Sequence, residues 1–495
     1  MEGISNLREV LSWQTAATLV VVYFATLSFY RLFLHPLAHI PGPRLAAITR
    51  YYEAYYDLVQ DGQYTFKIAE LHKKYGPIIR ISPYELHVID PAFYEKLYRQ
   101  DGRWDKYGWA VGAFTAPGAT IITVPHELHK ARRQPLNPFF SKPRVAAQQN
   151  IIDRNIAVFC NRVSQFATAG KTIDLGAAIS ALTRDVACEF ILDRRYAHLE
   201  REDFHVDITN MLQAGGPIWR ITKHVPWFGP LVHAIPPSIM NKECERDTKE
   251  ILRSSEAREE EESRRTIVHE IMDSKLPPAE KKFERVMFDV TTVTGAGNET
   301  TAGVLRLIMY HVFANPAILR RLRAELDEAV ALVDLKALEQ LPYLTSVIME
   351  GMRLSPAIGS RSARIAPDRD LVYGEGGRAL RIPAGTPVGM TTILMHTDEA
   401  LYPAPLSFDP DRWMDLEARR RLDKTYAPFS KGTRMCLGMH LAWAEMYLAI
   451  AQVVQRFDFQ FQGVDETSFH MQSDQFIIKT KDNAALNAVV TLHKA

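Results

Sequence analysis

Cys436, in the stretch FSKGTRMCLG, has the neighbours that a metal-binding thiolate needs. A cysteine binds a metal as its thiolate, whose negative charge must be stabilised by nearby groups. Backbone N–H groups of a turn can donate to the sulfur, and the helical pattern LGMHLAWAEMYLAIAQVVQRF that follows supplies the positive end of a helix. Gly432 and Gly438 let the backbone approach a flat ligand closely, and Arg434 is placed to reach an anionic group on it. The alternative for a lone cysteine is a buried, inert thiol.

A second unusual stretch, GAGNETT at residues 295–301, lies inside a helical pattern that runs from about Lys281 to Phe313. Two glycines and several β-branched or hydroxyl-bearing residues are poor choices for a helix interior. The composition predicts a kink, with a hydroxyl group free to leave the backbone hydrogen-bond ladder. A helix break without any chemical role is the alternative.

The spacing FxxGxRxCxG, formed by Phe429, Gly432, Arg434, Cys436 and Gly438, resembles the haem-binding signature of the cytochrome P450 family at all five fixed positions. The resemblance implies that haem b is the cofactor and that Cys436 is the axial thiolate ligand of its iron. It also implies that Arg434 holds a haem propionate. Further motifs extend the resemblance over nearly the whole chain.

Two of these motifs concern catalysis and the core. AGNETT resembles the family's oxygen-activation motif, which implies that Thr300 hydrogen-bonds dioxygen and that Glu299 helps to deliver protons through water. Glu350 and Arg353 stand three residues apart and share a helix face; alone, such a pair is usually exposed and contributes little. Here the pair resembles the family's ExxR helix, and FDPDRW resembles the segment that supplies a second arginine, Arg412. These three side chains would form a buried structural network, in which the loss of one partner costs about 3–5 kcal/mol.

The resemblance assigns further cations to the two propionates. HELHKARR supplies Arg133 and SARI supplies Arg364. The family often has tryptophan four residues before the first arginine, where this chain has His129; an imidazole can still donate to a propionate. A solvated helix face or a surface that docks the reductase is the alternative for Arg133, and we assign Arg132 and Lys130 to docking.

Four segments are expected from the resemblance to line the substrate pocket. They are apolar or small with few charges, which indicates a hydrophobic substrate. They comprise residues 108–123, Phe288 with Thr292, residues 355–360, and the turn at 473–476.

The elements that must position these residues are mainly helical. Short strand-like pieces, PIIRISP and ELHVI at residues 77–89, are joined by a predicted turn at 82–84, and others occur at 456–461 and in the last thirty residues. The fold class is therefore mainly α with a minor β-sheet, and the resemblance implies the cytochrome P450 fold. We expect one catalytic domain over residues 45–495.

The N-terminus carries 21 uncharged residues between Glu9 and Arg31. As a helix this stretch would span roughly 30 Å, enough to cross a bilayer core. It predicts a transmembrane anchor at residues 10–30, followed by a proline-rich hinge at 31–44. More arginines follow the span than precede it, which predicts a cytosolic catalytic domain. A cleaved signal peptide is the alternative, although no AxA-like site follows.

Composition excludes some classes of protein. The formal net charge of +1 gives no global field for nucleic acid, so no nucleic-acid partner is expected. The four cysteines are widely spaced and form no CxxC pair, which disfavours a zinc site and a disulfide framework. The folded part is therefore expected in a reducing compartment.

These observations together predict a haem-thiolate monooxygenase in the endoplasmic reticulum membrane. The chain shows no flavin or nicotinamide fingerprint, so an external donor is expected, NADPH–cytochrome P450 reductase. The expected substrate is a hydrophobic small molecule. The stretches HKARRQPLNPFFSK and FSKGTRMCLGMHLAWAE resemble fungal members of the family that act in secondary metabolism, which implies a secondary metabolite of terpenoid or polyketide type. Two alternatives stay open. One is a haem-thiolate isomerase or dehydratase that needs no reductase, against which the Glu299–Thr300 pair counts; the other is a non-catalytic haem-binding membrane protein.

Overall fold

The computed structural model describes residues 13–114, 116–233, 239–257, 265–329, 334–374, 376, 379–481 and 485–494. Its first helix, α1 (Trp13–Phe29), continues as a π-helix over Tyr30–Leu34 and buries none of its residues. Trp13–Leu34 is long and apolar enough to cross a membrane. Residues 10–12 of the predicted anchor lie outside the described residues, and the helix ends at Leu34 rather than at residue 30.

Ten further α-helices of eight or more residues are present in the described part of the chain. They are α2 (Tyr64–Tyr75), α3 (His126–Arg133), α4 (Gln149–Ala169), α5 (Leu175–Leu192), α6 (Val206–His224), α7 (Ile239–Ala257), α8 (Phe283–Ala314), α9 (Pro316–Glu328), α10 (Pro342–Leu354) and α11 (Met439–Arg456). Shorter α-helices cover Arg44–Ile48, Tyr51–Ala54, Tyr94–Leu97, Gly108–Val111, Leu136–Phe139, Lys142–Ala147, Gly229–His233, Ile267–Met272, Leu335–Leu338, Thr392–His396 and Leu416–Leu422. A second π-helix covers Tyr55–Val59, and 3₁₀ turns cover Pro91–Phe93, Gly112–Phe114, Thr120–Ile122, His198–Glu200, Pro226–Phe228, Pro278–Lys281, Pro410–Trp413, Gly432–Arg434 and Glu466–Phe469.

The strands form four small sheets. A five-stranded sheet has the order β1 (Ile78–Arg80), β2 (Leu86–Val88), β8 (Val388–Gly389), β5 (Arg364–Ile365) and β3 (Asp105–Lys106). A three-stranded sheet has the order β4 (Thr172–Asp174), β12 (Asn487–Leu492) and β9 (Phe457–Phe461). Two hairpins complete the set, β6 (Leu371–Tyr373) with β7 (Leu380–Ile382), and β10 (Ser473–Gln475) with β11 (Ile477–Lys479).

The core is built around α5 and α8. All 18 residues of α5 are buried, as expected for a helix that is apolar on every side. Asp174 caps its start by accepting from the backbone N–H of Ala177. A Cβ atom on Gly297 of α8 would lie 3.0 Å from the Cβ of Ala187 in α5, so glycine allows the two helices to approach closely.

The predicted strands at residues 77–89 are confirmed, because β1 and β2 pair antiparallel with Ile78 opposite Val88. The mainly helical fold with small sheets is confirmed as well. The predicted freedom of the hydroxyl in GAGNETT is wrong: α8 runs continuously through the stretch, and Thr300 Oγ1 donates to the carbonyl oxygen of Ala296 at 2.7 Å. Gly297, one of the two glycines that suggested a kink, serves the close contact with α5.

Candidate active site

The loop of Cys436 lies directly before α11, whose N-cap is Gly438. The backbone N–H of Cys436 donates to the carbonyl oxygen of Phe429 at 2.9 Å, which closes the loop. Burial raises the pKa of the Cys436 thiol, while the Gly438 backbone N–H and the charge of Arg133 act to lower it. The residue still presents accessible surface. A thiol that is both desolvated and accessible faces a space inside the protein.

The two glycines of this loop do different things. Gly432 has a φ of +77°, and a Cβ there would lie 2.5 Å from the carbonyl oxygen of Arg99. Its smallness therefore serves packing against the backbone of residues 98–99 rather than room for a ligand, which corrects the expectation for this residue. A Cβ on Gly438 would meet no atom within 4 Å, so the space beside it is open.

A cluster of basic side chains lies beside this loop. Strand β3 pairs with β5 so that Lys106 stands directly opposite Arg364. Like charges at opposite positions repel each other. Burial lowers the pKa of Lys106 well below its ordinary value, and Arg364, Arg434 and Arg133 lower it further. Burial also lowers the pKa of His129 to about 2, and Arg434 and Lys106 add to the effect.

The guanidinium of Arg434 is largely occupied by backbone carbonyl groups. It donates to the oxygens of Trp104 at 3.1 and 3.3 Å, Thr123 at 2.7 Å and Val124 at 2.8 Å. These bonds use four of the five N–H donors of an arginine. Burial, followed by repulsion from Arg364, lowers the pKa of Arg434 to about 9. One donor is left for an anion, so this side chain mainly holds the backbone before α3.

The cluster fits a group that carries two carboxylates, as haem does. Among the described residues, Arg133, Arg364, Arg434 and Lys106 form no ion pair with a carboxylate, although burial lowers the pKa of each. Among the residues that the structure describes, Arg364 donates to the carbonyl oxygens of residues 362 and 363 alone. Buried charges without counter-ions are costly, and an anion placed among them removes that cost.

Thr300 and Glu299 lie on α8 and line the same cavity. Glu299 is buried and forms an ion pair with Arg306, two turns further along the helix. It also accepts from Ser180 Oγ and Gln213 Nε2, both at 3.3 Å. Arg306 in turn donates to Ser180 Oγ at 2.8 Å. The acid is therefore held by three partners, one of them charged, at the wall of the cavity.

The structure brings Glu350, Arg353 and Arg412 together. Arg353 donates twice to the Glu350 carboxylate, at 2.8 Å each, and Arg412 Nε donates to it at 3.2 Å. Trp413 Nε1 and the backbone N–H of Asp409 also donate to this carboxylate, both at 3.0 Å. The carboxylate thus accepts five hydrogen bonds. Glu350 and Arg353 are both fully buried.

The four segments expected around the substrate contact one another or α8. Gly118 lies directly against the ring of Phe288. A Cβ on this glycine would lie 2.6 Å from Phe288 Cδ2. Phe114 packs edge-on against Phe476, with ring centroids 4.5 Å apart. The segment at 355–360 joins the hairpin tip through a bridge between residues 358 and 477.

Sequence reasoning placed one cation wrongly and missed others. Arg132 is buried and bonds both oxygens of Glu280, at 2.7 and 2.9 Å, so it is not a docking residue. Lys130 is exposed, as docking requires. Lys106 was missed because its pairing with Arg364 joins residues far apart in the chain. Arg306 was missed as well. Its spacing of seven residues from Glu299 on one helix was a local signal for the ion pair that no motif contains.

The fold and the cysteine loop define the haem-thiolate class of proteins. The family model for cytochrome P450 matches residues 54–486, and the chain belongs to the cytochrome P450 family of monooxygenases, whose members bind haem b.

Relatives from fungi share this family. The chain is 40% identical over 467 residues to the cytochrome P450 monooxygenase tpcC of Cochliobolus heterostrophus. The matched residues are 90% of this chain and 88% of that protein. It is 36% identical to the tryptophan 6-hydroxylase fscE of Fusarium equiseti, over 96% of each chain. It is 35% identical to the N-acetyltryptophan 6-hydroxylase ivoC of Emericella nidulans, over 98% of each chain.

Proposed function

We propose that this P450 oxidises a hydrophobic small molecule with dioxygen and with electrons from a membrane-bound NADPH–cytochrome P450 reductase. The observation that carries the proposal is the placement of Glu299 and Thr300 side by side on α8, both lining one cavity. An acid next to a hydroxyl provides a proton source and a hydrogen-bonding group at the same place. The pair counts against an isomerase or dehydratase, which needs no delivery of protons to dioxygen.

Cys436 is proposed as the axial ligand of the haem iron. When bound, the haem supplies the electron-transfer and oxygen chemistry, which a thiolate ligand steers toward O–O cleavage. The task of the chain is to keep the sulfur ionised in a desolvated place. The N–H of Gly438 and the charge of Arg133 would contribute to this, since both oppose the rise in the thiol pKa that burial causes, and the positive charge of the iron would do the rest.

The propionates are proposed to bind among the unpaired cations. Arg133, Arg364 and Lys106 would supply most of the positive charge, and the last free N–H of Arg434 would add to it. The low pKa of His129 keeps its imidazole neutral, so it would act as a hydrogen-bond donor through one ring N–H. This set keeps every residue predicted for the propionates and adds Lys106.

Proton movement is proposed to run through Glu299 and Thr300. The Thr300 hydroxyl donates to the carbonyl of Ala296, which leaves its oxygen lone pairs free to accept from a water in the cavity. A Glu299 carboxylate oxygen would take a proton from solvent and pass it to that water. Arg306 holds Glu299 in place, so the ion pair has to loosen for each transfer.

The substrate class is proposed from a group of aromatic side chains at the segments expected to line the pocket, and from the relatives. The rings of Phe114, Trp219 and Phe476 pack together, with centroid distances from 4.5 to 6.1 Å. Aromatic walls bind large apolar molecules. A secondary metabolite of terpenoid or polyketide type fits this, and the relatives named tryptophan and N-acetyltryptophan hydroxylases extend the class to aromatic amino-acid derivatives.

The location is proposed from the N-terminal helix, and the partner from the need for an electron donor. The unburied helix Trp13–Leu34 would anchor the chain in the endoplasmic reticulum membrane, with residues 45–495 in the cytosol. A domain that carries haem and receives electrons singly needs a donor protein. Exposed Lys130, on the helix that also carries Arg133, would belong to the docking surface.

The test is reconstitution of the full chain with the reductase in phospholipid nanodiscs. We expect a thiolate-type Soret shift of the reduced, carbon monoxide-bound protein, and NADPH-dependent oxidation of a compound found by screening apolar metabolites for a haem spin-state change. The same screen with a Cys436→Ser variant is the control, and it should give neither signal. A normal thiolate spectrum for Cys436→Ser would overturn the ligand assignment. Substrate conversion without NADPH or dioxygen would overturn the monooxygenase assignment.

A further inference from the structure

Within the loop between Ala116 and Pro125, the short segment from Thr120 to Thr123 is held at both of its ends by charged side chains. This segment contains the 3₁₀ turn Thr120–Ile122, and Thr120 and Thr123 are both buried. None of these contacts involves the residues proposed for oxygen activation. The resemblance predicts only that this loop lines the substrate pocket, and assigns no residue to hold it.

The first end is held by α8. Asp289, which is fully buried, accepts from the Thr120 N–H at 2.6 Å with Oδ1 and from the Thr120 hydroxyl at 2.8 Å with Oδ2. Arg285, one turn earlier, donates to Asp289 Oδ2 at 2.6 Å and to the Thr120 hydroxyl at 3.1 Å. One carboxylate thus bonds both the backbone and the side chain of a single loop residue, with its charge neutralised locally.

The second end is held by α3 and by the cysteine loop. Arg132 donates to Thr123 Oγ1 at 2.8 Å, and Arg434 donates to the Thr123 carbonyl oxygen at 2.7 Å. Glu280 links the two ends, because it accepts from Arg132 at 2.7 and 2.9 Å and from Arg285 Nε at 2.9 Å. Two arginines and two carboxylates therefore form one connected chain of ion pairs beside the loop.

The position of Asp289 on α8 relates these contacts to the site that contains Thr300. Eleven residues separate it from Thr300, which is about three helical turns and an angular offset of about 20°, so both lie on the same helix face. The loop also touches that helix at Phe288, where the Cβ of any larger residue at Gly118 would collide. A loop held at Asp289 accordingly lies along the face that carries the Thr300 hydroxyl.

We propose that Asp289, paired with Arg285, is a positioning residue that holds the Ala116–Pro125 loop as a wall of the substrate pocket and so limits the size of the molecules that reach the haem. The proposal rests on the proposed function, since it needs a haem in the space beside Cys436. Asp289 does not touch the reacting atoms; it acts through Thr120. Release of the loop should admit bulky ligands faster and leave small ones unaffected.

The test uses the full-length haem-loaded protein and the variants Asp289→Asn, Asp289→Ala and Thr120→Val. Arg285 keeps Glu280 as a partner in the aspartate variants, so their fold should survive. Thr120→Val removes only the hydroxyl and keeps the backbone bond. Glu284→Ala is the matched control, because it removes an exposed carboxylate from the first turn of α8, next to Arg285.

Two measurements are made on each variant. Hydrogen–deuterium exchange of the peptide that contains residues 116–125 should quicken by about tenfold or more in Asp289→Ala, because a hydrogen bond to a charged group is lost. Stopped-flow binding of 1-phenylimidazole to the haem should quicken by about fivefold or more in Asp289→Ala, and less in Asp289→Asn and Thr120→Val. Imidazole itself should bind at the wild-type rate in every variant, and Glu284→Ala should match the wild type throughout.

Unchanged exchange of this peptide in Asp289→Ala would show that the loop is not held by Asp289. Faster exchange with equal acceleration of imidazole and 1-phenylimidazole would show a general loosening and would also overturn the proposal. Failure of the proposed function is seen separately, as a wild-type protein that binds no haem, and the exchange measurement stays interpretable in that case.

Discussion

Substitution of Glu350 by glutamine gives the sharpest test of the buried network behind the cysteine loop. Glutamine has the same size and keeps an oxygen that can accept, but it removes the charge that balances Arg353 and Arg412. Arg353 retains the carbonyl oxygens of residues 396, 405 and 407 at 2.6 to 3.1 Å. Its hydrogen bonds thus survive in part while its counter-charge does not.

The size of the effect follows from burial. Loss of one partner of a buried ion pair costs about 3–5 kcal/mol. For a catalytic domain of about 450 residues the entropy of unfolding is about 0.9 kcal/mol/K, so the midpoint of thermal unfolding should fall by about 3–5 °C. Glu350→Gln belongs at the lower end of this range. Glu350→Ala belongs at the upper end, because it also leaves the Trp413 indole N–H without its acceptor.

The assay is thermal unfolding of the haem-loaded protein at one scan rate, followed by Soret absorbance and by near-ultraviolet circular dichroism. Asp411→Asn is the matched control, since Asp411 lies next to Arg412 but pairs with Arg321 at an exposed site. That substitution should lower the free energy of unfolding by less than about 1 kcal/mol. Equal midpoints and equal haem content in Glu350→Gln and the wild type would refute the reasoning.

Three further predictions concern catalysis, haem retention and pH. Thr300→Ala should keep NADPH and dioxygen consumption but lower the yield of product per NADPH, measured once a substrate is found; an unchanged yield would contradict its role. Lys106→Met should speed haem transfer to apomyoglobin by about tenfold or more, because a charged partner of a propionate is lost, whereas exposed Lys130→Met should not. Burial raises the pKa of Glu445 well above 4.5, so this residue makes stability fall as pH rises above that value. Glu445→Gln should therefore raise the thermal midpoint more at about pH 8 than at about pH 5, and an equal gain at both would contradict the shift.

Features that depend on nearby residues were predictable from the sequence. The strands at 77–89 follow from alternation over a few residues, and the long helix α8 follows from its period, so both were found within two or three residues of their ends. The spacing around Cys436 is a local pattern as well. These features need no knowledge of which distant segments meet.

Contacts between distant segments were beyond sequence reasoning. Lys106 and Arg364 are brought together only by the pairing of β3 with β5. Gly432 looked like room for a ligand, but the backbone of residue 99 occupies the space beside it. Arg132 looked exposed because its helix is highly charged, and only the fold shows Glu280 in front of it. In each case the local sequence was compatible with more than one neighbour, and the fold determines which neighbour is in contact.

Some buried clusters of charged side chains hold their own counter-charges and serve the fold. Glu53, Asp57 and His224 place three potential metal ligands within 4.8 Å of one another. The ammonium group of Lys223 already bonds both acids, at 2.5 and 2.9 Å, and Arg361 adds a second cation on Glu53 at 2.9 Å, so each acid has a cationic partner and this group stabilises the fold. The network of Glu350 is balanced in the same way.

The cations beside the cysteine loop form no ion pair with a carboxylate of the described residues. Arg133, Arg364, Arg434 and Lys106 repel one another, and that repulsion is relieved only when an anion binds between them. An anion that binds only the folded chain stabilises it through mass action. The same Lys106→Met substitution that weakens haem binding should for this reason relieve repulsion in the haem-free chain. Opposite effects of one substitution on the two forms distinguish a cation that serves a ligand from one that serves the fold.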